Sequence, residues 1–197
     1  MRLRASPYPR AVGYGMYAAA RLRVPRWDTA LANLEQVQTD TLRELVGHAK
    51  DTAFGREHGF ADLRTYEDWV ARVPVGNYDS FWPYIERMMK GEAGLLVPEF
   101  VTYYGNSSGS SNQGRSKFLP ITERQLEHQQ KGAADTLFRW LAHSKDVTFT
   151  RGFTLGLFPP TTMKTEGPVK VTSNPALMFS RLPLTARPVY LPRGTIK

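Results

Sequence analysis

The densest run of chemically useful side chains is Gly105-Asn106-Ser107-Ser108-Gly109-Ser110-Ser111-Asn112-Gln113-Gly114-Arg115-Ser116-Lys117. Each residue type in it suits a bound polyphosphate. Gly109 and Gly114 permit close backbone approach and positive φ angles. Successive amide N–H groups can then converge on anionic oxygens as a nest. The hydroxyls of Ser107, Ser108, Ser110 and Ser111 add donors. Lys117, with Arg115 close by, supplies positive charge, and charge-assisted hydrogen bonds are roughly twice as strong as neutral ones. A flexible Ser/Gly linker has a similar composition and is the competing reading. Two features weigh against it: strand-like residues stand on both sides, and the run ends in Arg115-Ser116-Lys117.

Gly109 to Ser116 also reads G-x-x-x-x-G-R-S, one substitution from a Walker A loop. A Walker A loop must lead directly into a helix whose N-terminus holds the phosphates. Here Lys117-Phe118-Leu119-Pro120 follows. Pro120 has no amide hydrogen and drives Leu119 toward extended geometry. The expected lysine is an arginine as well. The sequence therefore argues against a Walker-type kinase or GTPase.

The elements that must hold this loop alternate in a readable way. Residues 1–27 are rich in arginine, proline and tyrosine and are expected to be a basic, poorly ordered lead-in. Asp28 or Thr29 can cap a helix carrying Leu31, Leu34, Val37, Leu42, Leu45, Val46 and Ala49 at spacings of three and four. A turn bracketed by Gly55 and Gly59 follows. Thr65 caps a short helix with Glu67 and Asp68 in its first turn, where carboxylates meet the positive end of the helix dipole. Pro74 ends that helix. Asp79 or Ser80 caps the next, which runs through Trp82, Ile85 and Met89 and stops at Gly91. Residues 95–97 and 101–104 read as strands, 118–121 as extended, and 123–143 as a helix with Leu126, Ala133, Leu137 and Leu141 inward. Residues 147–158 and 169–172 read as strands. Helices followed by strand, loop, strand, helix and strand give an α/β fold with an incomplete mixed sheet.

Composition narrows the function classes. A hydrophobic share of 41% with 22% charged residues is globular, so a packed core is expected. The absence of cysteine rules out disulfides, thiolate nucleophiles and cysteine metal sites, and fits a cytoplasmic protein. No apolar run approaches the roughly 18–20 residues that span a membrane. The stretch 11–20 after three arginines resembles a signal peptide, but it contains two glycines and two tyrosines, and Arg21 and Arg23 follow at once. The net charge of +8 invites a nucleic-acid reading that its distribution opposes. Residues 1–27 hold six arginines and no acid, and residues 167–197 hold five basic residues and no acid. The middle is slightly acidic, so the excess lies at the two ends rather than on a folded face, and no nucleic-acid partner is expected.

The loop and the segments before it resemble the auxin-responsive-promoter (Gretchen Hagen) family of acyl acid amido synthetases, in the adenylate-forming superfamily. The matching pieces are Phe54-Gly55 with His58-Gly59-Phe60; Val73-Pro74-Val75 and then Tyr78; Pro83-Tyr84-Ile85-Glu86-Arg87; Gly91-Glu92; Ser107-Ser108-Gly109-Ser110-Ser111 with Gly114 and Lys117; and Leu119-Pro120-Ile121-Thr122. Each is weak alone, and their shared order and spacing over residues 35–125 is specific. Ser110 stands where the family usually has threonine, and the gap from Gly109 to Lys117 is one residue longer than usual.

The resemblance implies an enzyme that uses ATP and Mg²⁺ with small-molecule carboxylic acid and amine substrates. The carboxylate would attack the α-phosphate, giving an acyl-adenylate and pyrophosphate, and an amine or amino acid would then displace AMP to form the amide. It also implies that Ser107, Ser108, Gly109, Ser110, Ser111, Gly114 and Lys117 hold the β- and γ-phosphates. Family members run to several hundred residues, so residues 28–197 are expected to be a partial N-terminal domain. A second expectation of a different class is a non-catalytic fragment that keeps the loop and pairs with a second polypeptide completing its fold. No other residue is singled out as catalytic. His48, His58, His128 and His143 have no metal-ligand spacing, so no metal site on the protein itself is expected. Glu86-Arg87 reads as a surface ion pair before an active-site pair. Trp82, Tyr84, Tyr103 and Tyr104 read as core.

Overall fold

A computed structural model describes residues 8–107, 117–156, 163–182, 184 and 186–191. In chain order its elements are helices α1 (Arg10–Ala32), α2 (Leu34–Ala49), α3 (Ala53–Glu57), α4 (Tyr66–Arg72) and α5 (Tyr78–Met89), strands β1 (Tyr103–Ser107) and β2 (Lys117–Ile121), helix α6 (Glu123–Ser144), strands β3 (Thr154–Leu155), β4 (Lys164–Glu166) and β5 (Val169–Thr172), helix α7 (Asn174–Ser180) and strand β6 (Tyr190–Leu191). The fold is mixed α/β, as expected. It divides into two compact units.

One unit contains α2 to α5 and a four-stranded sheet in the order β2-β1-β5-β4. β1 pairs antiparallel with β2 and parallel with β5, and β4 pairs antiparallel with β5. One face of this sheet is buried under α5: Ile85 and Met88 pack on Val101, Tyr104, Val169 and Val171. A second cluster joins Val46 of α2 to Phe60 and Leu63.

Local rules explain most of these elements. Thr65 accepts the Asp68 amide while Asp68 accepts the Thr65 amide, a reciprocal capping box that starts α4. At α3, Thr52 is fully buried and its hydroxyl accepts the Gly55 amide at 3.0 Å. A Cβ on Gly55 would lie 2.0 Å from the Ala49 carbonyl oxygen, so only glycine lets α3 turn this tightly off the end of α2.

Several expectations are corrected. Residues 95–97 form bends in place of a strand: the Gly94 and Leu95 carbonyls accept the Ala53 and Phe54 amides at 2.8 and 3.1 Å, satisfying the first turn of α3. The cap of α5 is Asn77, whose side chain accepts the Ser80 amide at 3.2 Å, in place of Asp79 or Ser80. In α2 the stripe expected inside is mostly outside. Leu34, Val37 and Leu45 are 50%, 39% and 55% exposed, and the packed edge is Leu42, Val46 and Ala49.

The other unit contains α1, α6, α7 and the parallel pair β3–β6. The lead-in expected to be poorly ordered to residue 27 is helical from Arg10, and α1 runs through Asp28 and Thr29 to Ala32. No apolar periodicity announces this helix, and Pro25 lies inside it. Tertiary contacts hold it instead. Arg23 pairs with Asp135 of α6 and stacks over the Phe138 ring at 5.6 Å. Ala20 is fully buried, and a Cβ on Gly13 would lie 1.9 Å from the Val147 carbonyl oxygen. In α6, Leu126 and Leu141 are buried as expected, while Ala133 and Leu137 are exposed and the half-buried Ala134 and Phe138 take the inner face. Residues 149–151 form a 3-10 turn before the two-residue β3, so the long strand expected over 147–158 is absent among its described residues.

Candidate functional site

The expected strand–loop–strand is an antiparallel hairpin. Tyr103 faces Ile121, Tyr104 faces Pro120, Gly105 faces Leu119, Asn106 faces Phe118 and Ser107 faces Lys117. Aromatic residues at 103 and 104 favour a strand, and Tyr104, at 0% exposure, anchors it in the core. β2 is the edge of the sheet. Antiparallel residues alternate between those that bond their partner and those whose backbone groups face away. Phe118 faces away: its amide donates to the Tyr78 hydroxyl at 2.9 Å, and its carbonyl accepts from that hydroxyl at 3.2 Å. Pro120, two residues on, faces the same way, so its missing N–H removes no ladder bond.

The register sets Ser107 at the end of β1 opposite Lys117 at the start of β2. Of the residues expected to bind phosphate, Ser108, Gly109, Ser110, Ser111 and Gly114 lie outside the described residues. Ser107 closes β1 and Lys117 opens β2. The Lys117 ammonium rests over the Tyr78 ring, 5.4 Å from its centroid.

Tyr78 was legible only as one piece of a family pattern. It lies some forty residues from β2, and no spacing rule links the two. Helix α5 delivers it. Tyr78 is the first residue of that helix, and Trp82, one turn on, packs its ring 6.0 Å from Tyr78 and 6.4 Å from Phe118. Burial of the Tyr78 phenol raises its pKa, the Phe118 backbone partly opposes this, and Asp79 adds to the rise. Within β1, burial pushes the Tyr104 phenol up to about 12, and its hydroxyl has no hydrogen-bond partner among the described residues.

The remaining candidates separate from the hairpin. Glu86 and Arg87 do not pair with each other: Glu86 bonds Lys90 at 3.1 Å, and Arg87 grips Glu92 with two hydrogen bonds. Tyr84 donates to Glu57, which raises the phenol's pKa. His48 lies 3.4 Å from Glu99, and the His58 ring packs edge-on against Phe54 at 4.2 Å. His128 and His143 are exposed. Among the described residues no group of three or more His, Asp or Glu side chains could hold a metal ion. No described helix is long and apolar enough to cross a membrane.

Known proteins match this chain over most of its length. Residues 24–190 match the GH3 family N-terminal domain. Over 99 residues the chain is 28% identical to indole-3-acetic acid-amido synthetase GH3.3 of Arabidopsis thaliana, a match covering 50% of this chain and 16% of that protein. Its fold matches a solved GH3.15 acyl acid amido synthetase with a TM-score of 0.70 at 21% identity, over 84% of this chain and 29% of that one. A second structure, AtGH3.15 in complex with 2,4-DB, matches with a TM-score of 0.64 at 18% identity over 91% of this chain and 29% of the other. The architecture is thus that of the N-terminal portion of an acyl acid amido synthetase. The chain belongs to the GH3 family. It spans less than a third of the length of the solved relatives it matches.

Proposed function

We propose that this chain carries the ATP phosphate-binding part of an acyl acid amido synthetase, which activates a carboxylic acid as its acyl-adenylate and passes the acyl group to an amine or amino acid. The observation that carries the reading is the pairing of Ser107 with Lys117. It sets the two residues that flank the Ser/Gly run 108–116 opposite each other on neighbouring strands, one of them the cation Lys117. Support also comes from membership in a family whose relatives are named for amide synthesis and from a relative solved with 2,4-DB.

In this reading Ser107, Ser108, Ser110 and Ser111 donate hydrogen bonds to the β- and γ-phosphates. Gly109 and Gly114 let the backbone amides approach, and Lys117 offsets the charge that develops on the departing pyrophosphate. The donor set fits: every residue assigned here is a hydrogen-bond donor, a cation or a glycine. Mg²⁺ would be held by the phosphates and water more than by protein carboxylates, which suits a loop without acids.

The test is titration of the chain with Mg·ATP, followed by ATP–pyrophosphate exchange over a panel of carboxylic acids. Lys117→Ala is expected to weaken Mg·ATP binding about tenfold without unfolding the protein, the worth of one charge-assisted contact. Unchanged affinity in a folded variant sinks the assignment.

A second reading, a non-catalytic piece that pairs with another polypeptide, draws on the parallel pair β3–β6. Parallel strands are normally covered on both faces, yet β3 is exposed and its Leu155 is 71% exposed. Mg·ATP binding without acid-dependent exchange would favour it, and exchange by this chain alone would remove it.

A further inference from the structure

Tyr78 grips both residues that follow the loop 108–116. Its ring lies under the Lys117 ammonium at 5.4 Å, and its hydroxyl bonds both backbone groups of Phe118. The hydroxyl, tied at two points, and the packed Trp82 ring fix the plane of the Tyr78 ring. A cation over an aromatic face is held by the ring quadrupole, and this attraction is weaker than a charge-assisted bond to a phosphate. Such a hold restricts a long, flexible side chain while the ammonium hydrogens that point away from the ring can still donate to a polyanion.

We propose that Tyr78 is a positioning residue for polyphosphate binding: its ring stations the Lys117 ammonium where the loop returns to the sheet, and its hydroxyl fixes the strand end from which that lysine projects. This rests on the reading of residues 107–117 as the phosphate-binding loop. Lysine loses much rotamer freedom when it engages a ligand. Tyr78 removes part of that freedom beforehand, so its effect on affinity must pass through Lys117.

A double-mutant cycle read by Mg·ATP affinity tests this. Lys117→Ala is expected to weaken binding about tenfold and Tyr78→Leu about fivefold. The double variant is expected to bind no more weakly than Lys117→Ala, because the ring then has no ammonium to hold. Tyr78→Phe keeps the ring and loses only the hydroxyl, and is expected to weaken binding about twofold, less than Tyr78→Leu. An equal loss from Tyr78→Leu with and without Lys117 overturns the proposal. Wild-type binding that Lys117→Ala weakens and Tyr78→Leu does not overturns it while sparing the loop reading; no wild-type binding overturns both. Should Tyr78→Leu not fold, the Lys117 ε-methylene resonance of the wild type decides. The ring current should hold it upfield in the free chain and keep it upfield in saturating Mg·ATP. A resonance that starts at the ordinary lysine position, or that moves there on binding, overturns the proposal.

Discussion

The Tyr78 hydroxyl accepts the Phe118 amide at 2.9 Å and donates to the Phe118 carbonyl at 3.2 Å, so one side chain completes the backbone bonding of an edge-strand residue. An open edge is a template for unwanted pairing. Here α5 closes it at the residue next to Lys117. Tyr78→Phe is expected to cost about 1 kcal/mol, since two backbone groups lose their partner. Urea denaturation measures this, and an unchanged midpoint would show that water replaces the hydroxyl without loss.

Tyr104→Phe is expected to act in the opposite direction. The Tyr104 hydroxyl is buried without a partner among the described residues, so deleting it removes a desolvation cost and should stabilise the protein by about 1 kcal/mol. The same group makes an alkaline prediction. Its folded pKa, about 12, lies above that of an unfolded tyrosine. Its contribution is therefore complete below about pH 10 and is lost as pH rises through 12. The wild type should lose stability across that window more steeply than Tyr104→Phe in thermal melts.

Two glycines ten residues apart or less should respond oppositely to alanine. Gly55→Ala drives a Cβ to 2.0 Å from the Ala49 carbonyl oxygen and should cost about 3 kcal/mol as the α2–α3 junction shifts. Gly47 lies inside α2 with nothing within 4 Å of the added carbon, so Gly47→Ala should gain up to about 1 kcal/mol of helix propensity. Chemical denaturation of both variants checks the pair, and a neutral Gly55→Ala would contradict the close approach.

Acid should weaken the fold through carboxylates that gain hydrogen bonds on folding. The Arg64 and Thr65 amides hold Asp68 below its usual range, and the Arg87 guanidinium does the same for Glu92. Folded pKa values depressed in this way give stability that is complete above the unfolded value of about 4 and lost as pH falls through the lower folded values. Asp68→Asn, which cannot titrate, should flatten the fall in urea midpoint below about pH 4. An unaltered slope would assign the acid sensitivity elsewhere.

What the sequence disclosed follows how local each signal is. The capping box at Thr65 and Asp68, the helix from Glu123 and the strands flanking the loop depend on neighbours a few residues away, and all were readable. Helix α1 was not, because its apolar residues follow no helical stripe and its stability comes from Arg23 on Asp135 and Phe138, over a hundred residues distant. The stripe of α2 misled for a related reason. Spacing shows that Leu34, Val37 and Leu45 share a face, and it cannot say whether anything covers that face. At the site, the residue types of the loop suggested polyphosphate and the flanks predicted strands. The role of Tyr78 depends on a contact across the fold, which no local pattern encodes.

The parallel pair of β3 and β6 has a consequence for the order of folding. It joins Thr154 to Tyr190 and Leu155 to Leu191, with about 35 residues of chain between the strands, and among the described residues it returns a two-residue ladder. Closing so long a segment for so few bonds is unfavourable until α7, whose Phe179 ring packs 5.9 Å from Tyr190, has formed. The pair should therefore be among the last contacts made and the first released, so that native-state excursions begin at Leu155 while the β1–β2 hairpin stays closed.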